Sequence, residues 1–241
     1  MEPLFAIDLL GGRCVRLLRG DFSRVSDYGD PLERAAQLVE AGARWLHVVD
    51  LDAARTGRPA NLGTVRALAS CGAAVQAGGG VRDAGSARAL LDAGVRRVVV
   101  GTAALERPGL VEELAARWPG QVAVGLDHRG GQLATRGWAR AAGARLEDAL
   151  GWLEAAGAAA VVVTDISRDG TLGGPDLEGM ARVLRATAVP VVASGGVSGA
   201  EDLRALAGLE AGGRRLAGVV VGKAVHEGAL GVAEALAACG S

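Results

Sequence analysis

Residues 3–16 read PLFAIDLLGGRCVR: an apolar, strand-like run, Leu4-Phe5-Ala6-Ile7, that stops on the carboxylate of Asp8 and turns at Gly11-Gly12. The same arrangement returns 119 positions later as Gly125-Leu126-Asp127-His128-Arg129-Gly130-Gly131, with D-x-x-G-G spacing in both copies. A single Asp at a strand end is a common turn cap. Two at related positions in a chain of 241 residues imply two similar halves that present both carboxylates to one place.

Working outward, the repeat extends along the chain. Gly78-Gly79-Gly80-Val81 corresponds to Ser194-Gly195-Gly196-Val197, and Val98-Val99-Val100-Gly101-Thr102-Ala103 to Val219-Val220-Val221-Gly222-Lys223-Ala224. Val49-Asp50-Leu51 likewise matches Thr164-Asp165-Ile166, and Gly57-Arg58-Pro59 matches Gly173-Gly174-Pro175. Four correspondences in one order point to internal duplication rather than chance similarity. Short β-rich runs predict strands at Leu4–Asp8, Trp45–Asp50, Ala74–Ala77, Arg97–Gly101, Val122–Asp127, Ala159–Asp165, Val189–Ser194 and Leu216–Gly222. Between them, Ala/Leu/Glu/Arg segments of helical period predict helices at Pro31–Ala41, with Asp30 as cap, Asn61–Ala69, Ala84–Ala93 and Gly109–Trp118. Leu146–Ala156, Glu178–Ala186, Gly199–Ala207 and Leu230–Ala238 complete the series. This alternation predicts an α/β (βα)8 TIM barrel, one domain over residues 1–241 with two-fold pseudo-symmetric (βα)4 halves near 1–120 and 121–241. Residues 11–29 and 128–143 lack periodicity and read as long, functional loops after the first and fifth strands.

Composition narrows the functional classes. Half the residues are hydrophobic, enough for a large core, and 26 basic against 27 acidic residues leave no footprint of a nucleic-acid or membrane-surface binder. Cys14, Cys71 and Cys239 have neither C-x-x-C spacing nor a ligand-spaced His, so a zinc site or disulfide framework is not indicated and a reduced, cytoplasmic setting is expected. No leader or membrane-length apolar run is read.

In barrels of this kind, catalytic groups stand at strand C-termini, and loops after strands seven and eight commonly hold phosphate. Here those loops are Ser194-Gly195-Gly196 and Gly222-Lys223. Their counterparts, Gly79-Gly80 and Gly101-Thr102, offer the same device across the barrel, because glycine lets backbone N–H groups approach an anion. Two facing grips imply a small substrate phosphorylated at both ends. Between them lie Asp8, Asp127, Thr164 and Asp169. One carboxylate can remove a proton beside an incipient carbonyl or iminium while another donates to a ring oxygen, which suits an aldose–ketose isomerisation. Such chemistry calls for no metal or redox cofactor, and no motif for either is present. Asp50, Asp52 and Asp165 read as turn caps, His47 as an interior residue, His226 as surface, and His128 as a residue that could touch substrate.

The segments AIDLLGGRCVRLLRGD, WLHVVDLDAA, QAGGGVRD, VVVGTAAL, VGLDHRGG, TRGW, TDISRDGTLGGPD, VVASGGVS and VVVGKAV together resemble the histidine-biosynthesis isomerase (HisA) family, phosphoribosylformimino-5-aminoimidazole carboxamide ribotide isomerases, from near Leu4 to near Ala235. The resemblance implies an Amadori rearrangement of a bisphosphorylated aminoaldose to the aminoketose. It implies Asp8 as the base for the C2′ proton, Thr164 as an orienting group, and either Asp127 or Asp169 as the acid that opens the ribose ring. Arg16 and Ser194 fall among the substrate-binding positions. The sibling cyclase of imidazole glycerol phosphate synthase fits less well: it has Cys-Leu-Asp on the first strand, Lys in place of Arg16, and Thr-Ser-Ile-Asp in place of Thr164-Asp165-Ile166-Ser167. Arg136 and Trp138 match the mobile pair of the bifunctional PriA-type variant, which also isomerises phosphoribosylanthranilate, whereas Gly78 departs from that variant's usual Ser. A catalytically silent phosphosugar-binding barrel is the alternative outside enzymes. A monomer is expected.

Overall fold

The computed structural model describes residues 1–107, 109–135 and 140–240. Among these, eight parallel strands close on themselves: β1 (Glu2–Leu10), β2 (Trp45–Asp50), β3 (Ala74–Gly78), β4 (Arg97–Val100), β5 (Val122–Arg129), β6 (Ala160–Asp165), β7 (Val191–Ser194) and β8 (Gly218–Val221). Each pairs with its sequence neighbours, β5 with β6 and β8 with β1 included, so the barrel is complete. The predicted strands lie within one or two residues of these bounds, and the predicted helices occupy the connections. The helix Pro31–Glu40 shows why: Asp30 accepts from the N–H groups of Leu32 and Glu33, Pro31 suits the first turn, and Ala35 and Leu38 bury one face.

Alternation along the strands separates two cores. Leu4, Ala6, Val162, Val192 and Val220 pack together within the barrel, with Trp45 against them. Val99, Ala123 and Ala160 form an adjoining cluster. Residues of opposite parity, such as Phe5, Ile7, Leu46, Val48, Val161 and Val163, join the larger core under the helices.

A polar chain interrupts the apolar interior. The Nε of Arg97 donates to Gln76 Oε1 at 2.6 Å, so the amide nitrogen of Gln76 donates to His47 Nδ1 at 2.8 Å. The Arg97 guanidinium also lies over Trp45, 5.1 Å from the ring centroid. Burial, with Arg16 and Arg97 nearby, lowers the His47 pKa to about 4.

The sequence reading differs from the structure in the two long stretches after β1 and β5. Arg13–Leu18 returns antiparallel on β1 and pairs with Asp21–Gly29, while Gln132–Thr135 and Arg140–Arg145 form the corresponding hairpin on β5. Leu10 faces Arg13 and Arg129 faces Gln132, leaving two-residue loops in which Gly11 and Gly12 have φ of 56° and 78°, and Gly130 and Gly131 of 56° and 81°. Positive φ at both central residues is what a tight type I′ hairpin requires, and Gly-Gly supplies it. Short helices at Leu51–Thr56, Thr102–Glu106 and Lys223–His226 follow β2, β4 and β8 and were not anticipated.

The buried His47 generates a pH prediction. Its neutral form is favoured in the fold while the unfolded chain binds a proton near pH 6.5, so its contribution is complete above that pH and lost as pH falls toward 4. His47→Gln should therefore narrow the stability difference between pH 7 and pH 5 in urea unfolding; an unchanged difference would rule out His47 as a source of acid sensitivity.

Candidate active site

The inward parity of Leu4 and Ala6 carries Asp8 into the mouth of the barrel, where it is 7% exposed. Asp8 faces Val15 across the hairpin, and this register brings the next residue, Arg16, over it. Arg16 Nη1 donates to Asp8 Oδ2 at 2.9 Å, while Nη2 donates to Asp169 Oδ1 in a second, short contact. Asp169 comes from the far side of the sequence. The chain after β6 makes a turn in which the N–H groups of Arg168 and Asp169 reach Asp165 O, then crosses to the hairpin. Gly170, at φ 68°, lies so close to the backbone that an added Cβ would sit 3.1 Å from Leu17 O, and Lys223 Nζ donates to Gly170 O at 3.1 Å.

Two carboxylates thus share one buried guanidinium. Burial raises the Asp8 pKa above the ordinary carboxylate range; Arg16 opposes the rise and the Asp169 charge adds to it. Burial disfavours the Arg16 charge, yet Asp169 and Asp8 outweigh it and its pKa is raised. The cluster is an ion pair with one carboxylate in excess.

On the opposite side stands Asp127. β5 is four strands from β1 in either direction, and Asp127 lies in register with Thr164, which lies in register with Ser194. Asp50 and Asp165, which share the parity of the outer core, serve turns: Asp50 accepts from the N–H groups of Ala53 and Asn61, and Asp165 from the N–H and hydroxyl of Ser167. Asp52 accepts from Gly11 N at 2.7 Å, tying the first helix after β2 to the Gly-Gly turn.

The glycine loops obey the same symmetry as the turns. A Cβ on Gly79 (φ 97°) would run into the carbonyl oxygen of Asp50, and one on Gly195 (φ 98°) would sit 2.8 Å from that of Asp165. Ser194, Gly195, Gly196, Gly222 and Lys223 come together with Arg16 and Asp169 around a solvent-open cleft of about 300 Å3. Gly79 and Gly80 line a separate small recess with Asp50, Pro59 and Ser86, while Gly101 caps the short helix after β4 that begins at Thr102. The structure therefore gathers the second-half grip beside the Arg16 that holds Asp8.

The three histidines take different places. His47 is interior, as expected. His128 follows the inward Asp127, so it faces outward and is 2% exposed, away from the mouth. His226, expected at the surface, is half-buried and held: its Nε2 is 2.7 Å from Ala6 O, Arg34 Nε donates to its Nδ1 at 2.9 Å, and Tyr28 stacks on its ring. Arg136 and Trp138 lie outside the described residues.

A model of the histidine biosynthesis protein family matches residues 4–231. The chain belongs to that family. This family member is 48% identical over 243 residues to a protein of Synechococcus sp. (strain ATCC 27144 / PCC 6301 / SAUG 1402/1), covering 100% of this chain and 94% of the relative. It is 46% identical over 235 residues to a protein of Paracoccus denitrificans (strain Pd 1222), covering 97% of each. Both relatives carry the name 1-(5-phosphoribosyl)-5-((5-phosphoribosylamino)methylideneamino) imidazole-4-carboxamide isomerase.

Removing the shared cation should expose the cost of two buried carboxylates. Arg16→Met is expected to destabilise the fold by about 3 kcal/mol at pH 8. The loss should shrink at pH 5, because burial already raises the Asp8 proton affinity and removing Arg16 takes away the charge that opposes the rise. Denaturant unfolding at the two pH values checks this, and a loss independent of pH would contradict it.

Proposed function

We propose that this chain isomerises the aminoaldose named by its relatives, a sugar derivative carrying two phosphoribosyl groups, to the corresponding aminoketose by an Amadori rearrangement. The observation that carries the reading is the pair of carboxylates at the ends of opposite strands, Asp8 on β1 and Asp127 on β5, in a member of this family. In the proposed sequence Asp127 gives a proton to the ribose ring oxygen as the bond from C1′ to that oxygen breaks, and the amine nitrogen supplies the electrons for the C1′=N iminium. Asp8 then takes the proton from C2′; that electron pair forms C1′=C2′ and the iminium electrons return to nitrogen. Tautomerisation of the enolamine gives the ketone at C2′ and restores both carboxyl groups to their starting states.

Asp127 is favoured over Asp169 as the acid because Asp169 shares Arg16 with Asp8 on one wall, whereas Asp127 stands on the opposite strand of the barrel. Thr164, in register with Asp127, would orient the reacting groups. Ser194, Gly195, Gly196, Gly222 and Lys223 would hold one phosphate, and Gly79, Gly80, Gly101 and Thr102 the other. The same reading takes the chain as one domain of two halves acting as a monomer. No helix among the described residues is long and apolar enough to cross a membrane.

The test is turnover of the aminoaldose by purified protein, followed by separation of aldose and ketose; binding without conversion would overturn the enzyme reading in favour of a silent phosphosugar-binding barrel. Asp8→Asn should lower kcat by at least about 10³-fold, in line with loss of the group that takes the proton, while substrate still binds in calorimetry. Because the Asp8 pKa is raised, wild-type kcat/KM should rise with pH through a limb above 3.8, the ordinary Asp value. A flat profile across pH 4–8 would remove Asp8 from that role.

A further inference from the structure

The ladder between β1 and β8 stops at the pair Phe5–Val221. Beyond that pair the chain after β8 leaves the sheet through Gly222 and enters the short helix Lys223–His226, and the hairpin strand takes up pairing with β1 only from Asp8, opposite Val15. The next β1 carbonyl, Ala6 O, instead faces His226 Nε2 at 2.7 Å. The tautomer is dictated by the other ring nitrogen: Arg34 Nε donates to Nδ1 at 2.9 Å, so Nδ1 is an acceptor and Nε2 carries the hydrogen that goes to Ala6 O. Arg34 is itself anchored, donating through Nη2 to Val225 O at 2.9 Å and through Nη1 to Gln37 Oε1 at 2.9 Å. Tyr28, from the hairpin strand paired with Arg13–Leu18, covers the imidazole with ring centroids 4.6 Å apart and planes 12° apart.

We infer that His226 is a positioning residue for Asp8: it spans the gap on this edge of β1 between the last β8 pair at Phe5 and the first hairpin pair at Asp8, and so helps to fix the direction from which the carboxylate enters the mouth. Ala6 is two residues before Asp8 and shares its inward parity. Gly222 is wedged between Ala6 and Arg16: a Cβ there would sit 3.3 Å from Ala6 Cβ and 3.6 Å from Arg16 Cζ. One imidazole therefore ties together the strand that bears Asp8, the hairpin that bears Arg16 through Tyr28, and the turn that bears Gly222 and Lys223. Its surroundings are cationic, with Arg34 in contact and Arg16 nearby, and burial lowers its pKa to about 4, so it stays neutral and directional over the range in which an isomerase would work. It does not carry the reaction's proton.

This inference rests on the proposed role of Asp8, and its test separates the two. His226→Phe keeps the ring against Tyr28 and removes the N–H; His226→Gln keeps an amide N–H at the reach of Nε2. Since small misplacements of a catalytic group cost up to about 10²-fold, His226→Phe should lower kcat at least about tenfold with KM within about threefold, and His226→Gln should recover most of it. The pH profile of the Phe variant should keep the wild-type shape, because the proton carriers are unchanged. Hydrogen exchange in the segment Ile7–Leu10 should quicken in the Phe variant and not in the Gln variant, a readout independent of turnover. Should the Phe variant fail to fold, His226→Asn, whose amide falls short of Ala6 O, replaces it against Gln with the same expectations. Equal kcat in the donor-keeping and donor-lacking variants, or loss of a limb of the pH profile, would overturn the proposal. If instead Asp8→Asn retains turnover, the base assignment fails, and the exchange contrast still decides whether His226 anchors the strand.

Discussion

A parallel strand in a closed barrel has two sides that cannot be exchanged, and this constraint governs the mouth. Once Leu4 and Ala6 fill the interior, Asp8 must point inward, and once Ala123 lies inside, Asp127 must follow. The residues between them point outward, which is why His128, despite its place beside Asp127, is buried under the helix layer. A slip of one residue in either strand would drive a carboxylate into the outer apolar core, where an unpaired charge is prohibitively unstable. Stability of the wall and placement of the acidic groups are therefore one requirement.

The same burial that aims Asp8 makes its charge difficult to keep. Arg16 answers this by donating to Asp8 and Asp169 together, and the arrangement is possible because two unrelated segments converge: a hairpin that folds back on β1 and a turn that crosses from β6. Burial dominates the balance at Asp8, so its proton affinity rises even with a guanidinium at 2.9 Å. A carboxylate with raised proton affinity is a stronger base than one in water, and the cluster needs no further group to make it so.

Much of this was legible before any coordinates because it follows from period and spacing. The eight strand runs, the Asp30 cap and the inward placement of two aspartates all come from local patterns. The hairpins were within reach: Gly-Gly two residues after each aspartate's strand run is a hairpin turn signal, and Cys14-Val15-Arg16-Leu17 follows it in extended character, but read as a bare turn it suggested loops. The meeting of Arg16 with Asp169 spans 153 positions and has no local signature. Nor does His226, whose partners Ala6, Tyr28 and Arg34 lie about two hundred residues earlier; by its neighbours alone it resembles a residue at the end of a short surface helix.

Backbone symmetry and side-chain asymmetry do different work. The two halves place a glycine against the carbonyl of an aspartate at Gly79–Asp50 and at Gly195–Asp165, and both D-x-x-G-G turns open antiparallel hairpins. Were the side chains equally symmetric, nothing would distinguish the surroundings of Asp8 from those of Asp127. The sequence breaks the equivalence where the backbone keeps it: Arg16 corresponds, at the offset of the two aspartates, to Thr135, and Lys223 corresponds to Thr102. Arg16 and Lys223 thus stand on the side of Asp8. In the proposed reaction Asp8 and Asp127 begin in opposite protonation states, and unequal environments are what can hold two carboxyl groups in different states.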